Sequence, residues 1–334
     1  MKNISLKNYL LSIHIGVQMT KSLHGKDSIK IIDLFAGIGG IRLGFQNATN
    51  RKIDCVFSSE WNKYSVQTYQ ANYGREIIHG DITQVDEKEV PYHDILLAGF
   101  PCQPFSQAGL KKGFEDTRGT LFFDIARILK EKQPKSFLLE NVKQLRGHDK
   151  GKTLETIIKT LHQIGYKNTQ YTLLKARDFG LPQNRERLYI VGFLEDDIDF
   201  EFPKPTHKET KVGDILESEV DDKYTISDKL WAGHQRRKEN NKKNGKGFGY
   251  RIFDENSEYT STISARYYKD GSEILIKQND KNPRKLTPKE AAKLQGFPVD
   301  FKIPVSDTQA YQQFGNSVPV AVIEAIAKKI LKHI

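Results

Sequence analysis

Apolar positions along the chain fall into short runs, broken by glycine, proline and polar clusters, and the runs alternate between two periods. Ile29 to Phe35 is apolar apart from Lys30 and Asp33, the pattern of a strand covered on both faces. Ala36-Gly37-Ile38-Gly39-Gly40 breaks it, and Ile41 to Phe45 starts a helix. A second strand, Asp54 to Ser59, ends in Glu60-Trp61, and a helical stretch follows from Asn62 to Tyr73. Ile77 to Thr83 reads as a third strand that ends in Asp81. Asp94 to Ala98 is a fourth, stopped at once by Gly99, Pro101 and Pro104, which leaves Cys102 at its carboxyl end. Leu121 to Leu129 has the spacing of a core helix, ended by Pro134. Ser136 to Leu139 is a fifth strand running into Glu140-Asn141-Val142.

Beyond it, Leu154 to Ile164 predicts an amphipathic helix, and Tyr171 to Ala176 with Arg187 to Phe193 an antiparallel strand pair. Apolar density falls after Phe202-Pro203-Lys204-Pro205. Thr260 to Ile263 and Glu273 to Ile276 read as short strands around a turn at Lys269-Asp270-Gly271. Leu286 to Ala292 begins a helix with Thr287 as cap and Pro288 at its first position. Val318 to Leu331 closes the chain as an amphipathic helix. Leu6, Tyr9, Leu10, Ile13 and Val17 give residues 1–27 a weak helical spacing; Met19 is an alternative start, and this extension enters no functional argument. Strands alternating with helices predict an α/β fold with a mostly parallel sheet. In such sheets ligands bind at the carboxyl ends of the strands.

Composition sharpens the picture. The chain has 334 residues, 52 Lys and Arg against 42 Asp and Glu, and a formal charge of +10, which favours a polyanionic partner. Lys229 to Arg251 holds eight basic residues and one acid, with Gly245, Gly247 and Gly249 among Phe248 and Tyr250. That mixture suits a loop entering a nucleic-acid groove; a solvated, poorly ordered insertion is the other reading. The two cysteines, Cys55 and Cys102, exclude a disulfide framework and a four-cysteine zinc site, and fit a reducing cytoplasm. No apolar run approaches the ~20 residues of a membrane helix.

Several residues meet at one sheet edge. The strand, glycine turn and helix at Ile29 to Phe45 have the form of a nucleotide-type cofactor site, or of a plain tight turn. Glu60 is placed to hold a ribose diol and Trp61 to face an adenine; a solvated Glu and a core Trp are the bland readings. Asp81 accepts from an adenine amino group or caps a helix. Cys102 is either a buried thiol or a nucleophile. Arg185 and Arg187, one residue apart, point to one face of a strand, where they grip an oxyanion or meet solvent.

Five short pieces, in this order, resemble the DNA (cytosine-5) methyltransferase family of bacterial restriction-modification type: Asp33 to Gly40, Gly99-Phe100-Pro101-Cys102-Gln103, Glu140-Asn141-Val142, Gln183 to Arg187, and Gln313 to Val318. The resemblance implies a Rossmann-like S-adenosylmethionine-dependent domain at 28–202, a smaller, irregular, β-rich target-recognition domain at 203–306, and a C-terminal segment at 307–334 that returns to the catalytic domain. It implies a cofactor site of Phe35, Gly37, Gly39, Glu60, Trp61, Asp81, Ile82 and Asn316. It makes Cys102 the nucleophile on C6 of a flipped-out cytosine, Glu140 the partner of N3, Arg187 the holder of O2 and Arg185 its support. The glycine-rich stretch from Gln107 to Arg118 would close over the base. Thr262-Ile263-Ser264-Ala265 matches an element near that base, and Gln103, Ser106, Phe248, Tyr250, Arg251, Thr262 and Arg266 become DNA contacts. Gly247 to Tyr250 and Ser264 to Gly271 are similar to recognition domains for the inner cytosine of CCNGG-type sites, with Arg251 and Arg266 on guanines. The expected partner is double-stranded DNA, bound by a monomer in a bacterial cytoplasm; a transfer-RNA cytosine-5 methyltransferase is the alternative.

Overall fold

A computed structural model describes residues 28–101, 121–247 and 249–334. Seven strands form one sheet: β1 (Ser28–Leu34), β2 (Lys52–Ser59), β3 (Ile78–His79), β4 (Ile95–Gly99), β5 (Ser136–Val142), β6 (Asn168–Lys175) and β7 (Glu186–Phe193). Their order is β3-β2-β1-β4-β5-β7-β6. The first five run parallel, and β7 runs antiparallel to both of its neighbours. The winding reverses between β1 and β4, and a crevice opens above the carboxyl ends at such a point.

Both faces of the sheet are covered, which is why the strands read as nearly continuous apolar runs. Ile32, Leu34, Leu96, Phe137 and Leu139 face α3 (Leu121–Lys132) and α4 (Lys152–Gln163) through Ile125, Leu129, Ile157 and Leu161. Ile29, Ile31, Ile95, Leu97 and Leu138 face α1 (Gly40–Asn47) and α8 (Val320–Ile330) through Ile41, Phe45, Val322, Ile323 and Ile326. The last helix therefore packs beside the first. α2 (Lys63–Tyr73) starts at Asn62, whose side chain accepts from the N–H groups of Tyr64 and Ser65.

Three expectations change. The third strand keeps only Ile78–His79 of the predicted 77–83, because Gly80 and Asp81 leave the ladder and the Asp81 carboxylate caps a 3-10 turn at Ile82–Gln84 by accepting from Thr83 N. The predicted basic loop is mostly a helix, α5 (Asp228–Lys243), capped by Ser227. The glycines that signalled a loop all follow it, and within the helix Gln, Arg, Lys and Glu are good helix formers. The segment at 203–306 is irregular rather than β-rich. Its strands among the described residues are β8 (Ile252–Phe253) and β9 (Leu275–Ile276), paired in parallel, with isolated bridges. Thr260 to Ile263 forms no strand because its polar groups go to the 182–184 turn: Thr260 N donates to Pro182 O, Ile263 N to Gln183 Oε1 and Thr262 Oγ1 to Asn184 O. The predicted helix start at Thr287 is α6 (Pro288–Leu294), with Thr287 and Glu290 forming a reciprocal capping pair. α7 (Asp307–Asn316) precedes α8. No helix among the described residues is long and apolar enough to cross a membrane.

Candidate active site

A cleft of about 590 Å³ lies above the carboxyl ends of β1, β2, β4 and β5. Its floor begins at Phe35, a bulky residue held at φ 56 in the left-handed region, where strain accumulates at functional turns. Phe35, Gly37, Glu60, Trp61, Asp81, Ile82 and Asn316 all line it. Glu60 is tied from two sides: Gly37 N donates to Oε2 at 2.8 Å and Asn62 N to Oε1 at 2.7 Å. Burial pushes its pKa up against those backbone bonds. The carboxylate thus joins the glycine turn after β1 to the helix after β2. Trp61 is 82% exposed, so its ring belongs to the cleft and not to a core. Asp81 serves as the cap described above while lining the cleft.

Gly39 does not line the cleft. It is the left-handed N-cap of α1, at φ 80, and a Cβ there would sit 2.3 Å from the Tyr73 ring. Tyr73 donates its hydroxyl to Gly39 O at 2.8 Å. Its ring is stacked under the Arg42 guanidinium, which is paired with Glu76. Gly39 shapes the turn from below.

The second half of the cleft is built on β4, β5 and β7. Gly99 stands beside Glu140 in the parallel register of β4 and β5. Glu140 is only 8% exposed, and Arg187 Nε reaches its Oε1 at 3.2 Å. Burial raises the Glu140 pKa, with the charges of Arg187 and Arg185 opposing. The neighbouring Asn141 is buried, lines the same cleft and is engaged with the main chain. Its amide donates to Phe100 O at 2.9 Å and its Oδ1 accepts from Val142 N, so it fixes the chain at Phe100, where β4 has just ended. Sequence reasoning quoted Asn141 within its motif and assigned it no task.

Arg185 and Arg187 do not share one target. Arg185 is fully buried and donates to three main-chain carbonyls, those of Ile263, Gly315 and Ser317. It ties the 203–306 segment and the end of α7 to the start of β7. The joint is tight: a Cβ on Gly315 would meet the Ser264 carbonyl at 2.3 Å. An arginine spent on three carbonyls has little left for an oxyanion, which corrects the expectation that both would grip one.

Of the expected DNA contacts, Arg251 and Arg266 are exposed. Tyr250 is partly buried, edge-on to Trp231 at 4.9 Å and 4.4 Å below Lys238 Nζ, against α5. The Thr262 hydroxyl is engaged with Asn184 O. Cys102, Gln103, Ser106, Phe248 and the 107–118 stretch lie outside the described residues. Cys55 is in β2, where burial raises its thiol and Ser58 and Tyr69 surround it, the setting of an inert cysteine.

A parallel sheet with one antiparallel insertion, a glycine turn after the first strand and an acidic residue after the second define a Rossmann-like methyltransferase domain. The family model for C-5 cytosine-specific DNA methylases matches residues 29–332. The chain belongs to that family and is a DNA cytosine-5 methyltransferase. It is similar to the Type II methyltransferase M.NlaX of Neisseria lactamica, 70% identical over 302 residues, which span 90% of this chain and 96% of that one. It is also similar to M1.ScrFI of Lactococcus lactis subsp. cremoris, 66% identical over 91% of this chain and 78% of the relative. Among solved structures, the Entamoeba histolytica methyltransferase EhMeth shares the fold, with a TM-score of 0.76 over 92% of this chain and 99% of that one at 20% identity.

Proposed function

We propose that the protein methylates C5 of a cytosine flipped out of duplex DNA, through a covalent bond between Cys102 and C6, as the modification half of a Type II restriction-modification system. The observation that carries this reading is the buried pair of Glu140 and Arg187 in the same cleft wall as Gly99, facing the glycine turn. Relatives named as Type II methyltransferases support the biological setting.

Cytosine C5 is a weak nucleophile. Addition of the Cys102 thiolate to C6 moves electron density to C5, and Glu140, carrying a proton, meets N3 and neutralises the ring as it gains charge. Thymine bears a hydrogen on N3 and cannot accept from Glu140, so this carboxyl also selects the base. Arg187 holds O2 and keeps Glu140 oriented. S-Adenosylmethionine, when bound, supplies the methyl group from its sulfonium; the donor is cleaved at that C–S bond. Loss of the C5 proton to a base and expulsion of Cys102 from C6 then restore the ring. Glu60 is placed for the ribose hydroxyls, Trp61 for the adenine face, and Asp81 with Ile82 for the adenine edge. The residues fit such a ligand: a rigid carboxylate, an exposed indole and a glycine turn surround one cavity.

The division at 28–202, 203–306 and 307–334 belongs to this proposal, with 203–306 as the recognition domain. There α5 presents Arg236, Lys242 and Lys243 for backbone phosphates. Arg251 and Arg266 serve as guanine readers of a CCNGG-type site. The test is incubation with a duplex containing 5-fluorocytosine and the methyl donor. A conjugate stable to denaturation, absent in Cys102→Ser, is expected; no conjugate with DNA, or label transferred only to transfer RNA, overturns the reading. Bisulfite sequencing of DNA from expressing cells reads the site.

A further inference from the structure

One guanidinium in the 203–306 segment joins three pieces of chain. Arg237, in the middle of α5, donates from Nη1 to Asp270 Oδ2 at 2.9 Å, and from Nη2 to His234 Nδ1 at 2.7 Å and Gly249 O at 3.3 Å. Arginine can only donate, so the His234 ring carries its hydrogen on Nε2, which donates to Asp270 O at 3.1 Å. The imidazole is neutral, and burial lowers its pKa in keeping with that. Helix and loop approach closely here: a Cβ on Gly249 would sit 2.7 Å from Lys238 Cα.

Both proposed guanine readers leave from this joint. Arg251 follows Gly249 by two residues; its N–H donates to Ser272 O at 2.9 Å, and Ser272 N donates to Asp270 Oδ1 at 3.1 Å. Arg266 precedes Asp270 by four residues; its N–H donates to Ser264 Oγ, and that hydroxyl donates to Glu273 Oε1 at 2.7 Å. Residues 270–273 thus fix the backbone under both arginines, and Arg237 fixes residue 270 to a helix. The same helix presents Arg236, Lys242 and Lys243 at the surface. The side chains of Arg237 and Asp270 are 42% and 34% exposed, and an ion pair so open to water adds little to stability. What a planar fork with three acceptors gives instead is direction.

We propose that Arg237 is a positioning residue: it locks the phosphate-facing helix to the chain under Arg251 and Arg266, so that the register taken from the DNA backbone decides where the readers meet base edges. This rests on the recognition domain proposed above. Phosphate contacts orient a protein on a duplex and base contacts specify the sequence, and a rigid link lets the first serve the second.

The test uses the full-length protein and three duplexes: one carrying CCNGG, and two in which one or the other outer G·C pair is replaced by A·T. Arg237→Lys keeps the charge and loses the fork. Asp270→Asn keeps an acceptor for Ser272 N and turns an amide toward the guanidinium. Each is expected to lower the preference for CCNGG, as a ratio of kcat/KM values, by about tenfold, the order of discrimination that one bidentate guanine contact supplies. Tm, S-adenosylhomocysteine binding and affinity for a duplex without the site should stay as in wild type. Asp270→Asn is the sharper arm, because removing an acid cannot weaken a phosphate contact. An unchanged preference in either variant, or equal losses on all three duplexes, overturns the proposal while the recognition domain stands. Wild-type enzyme that methylates the three duplexes alike overturns the assignment of the readers, and this inference with it.

Discussion

Arg187 Nε lies 3.2 Å from Glu140 Oε1, and the two residues come from neighbouring antiparallel strands, β7 and β5. The proposed proton donor to cytosine N3 has to be protonated and aimed, and the pair suits both demands: burial raises the Glu140 pKa against the opposing charges of Arg187 and Arg185, and the Arg187 guanidinium is in reach of the carboxyl. Glu140→Gln keeps the size and removes the titration. Its kcat is expected to fall by about 10²-fold or more, with the affinity for S-adenosylhomocysteine unchanged. On the proposed mechanism Glu140 acts in its protonated form, so wild-type turnover should decline as pH rises through a value above the ordinary glutamate range, and the variant should lack that limb. A variant with full activity and an unchanged pH profile would remove Glu140 from the chemistry.

Asn141 holds Phe100 O, two residues before Cys102 in sequence. Asn141→Ala leaves that carbonyl unpaired in a buried site, at a cost of about 1–3 kcal/mol in stability. Turnover should fall while the Kd for S-adenosylhomocysteine stays as in wild type, since the amide is engaged with the main chain at Phe100 and Val142. Calorimetry beside single-turnover kinetics reads both; equal effects on the two would make the residue a general packing element.

Trp61 is so exposed that its removal costs the fold almost nothing. Trp61→Ala is expected to keep stability within about 0.5 kcal/mol of wild type and to weaken nucleoside binding by about tenfold. Here S-adenosylhomocysteine and 5′-methylthioadenosine should lose alike, because both carry the adenine. Unchanged affinity would return this indole to the ordinary surface.

Asp33 sits at the end of β1, fully buried, with Oδ2 unpartnered. Burial pushes its pKa up from 3.8 to about 8, with Glu60 adding and Arg42 opposing. Between those two values the unfolded chain has released the proton and the folded chain keeps it, so the unfolded state binds fewer protons and stability falls as pH rises. Above about pH 8 the decline from this group is complete. Asp33→Asn mimics the protonated form at every pH. Denaturant melts from pH 5 to 8 should show the variant gaining on wild type as pH increases; a constant difference would mean that Asp33 ionises normally.

Much of this was legible in the chain, for identifiable reasons. Strands β1, β2, β4 and β5 announced themselves because burial on both faces demands unbroken apolar runs, and each ended in a residue now found in the cleft. That Glu140 would meet Arg187 was not legible: it depends on β7 entering antiparallel next to β5, a pairing of residues far apart in sequence (Glu140 with Tyr189, Val142 with Arg187) settled by packing and not by local pattern. Glycine misled twice. Gly37 and Gly39 looked alike, yet one donates to Glu60 and the other gives way to Tyr73. Gly245, Gly247 and Gly249 coloured a stretch whose earlier part is helical.

The three carbonyls held by Arg185 belong to the main chain. Every amino acid carries that oxygen, so the mooring of Ile263 to the catalytic sheet is indifferent to the side chain at that position. Surface residues between 203 and 306 can then be rewritten, singly or as a transplanted block, without loosening this attachment. Under the proposed division of the chain, an enzyme fastened in this way can acquire a new target while its reaction centre is inherited intact.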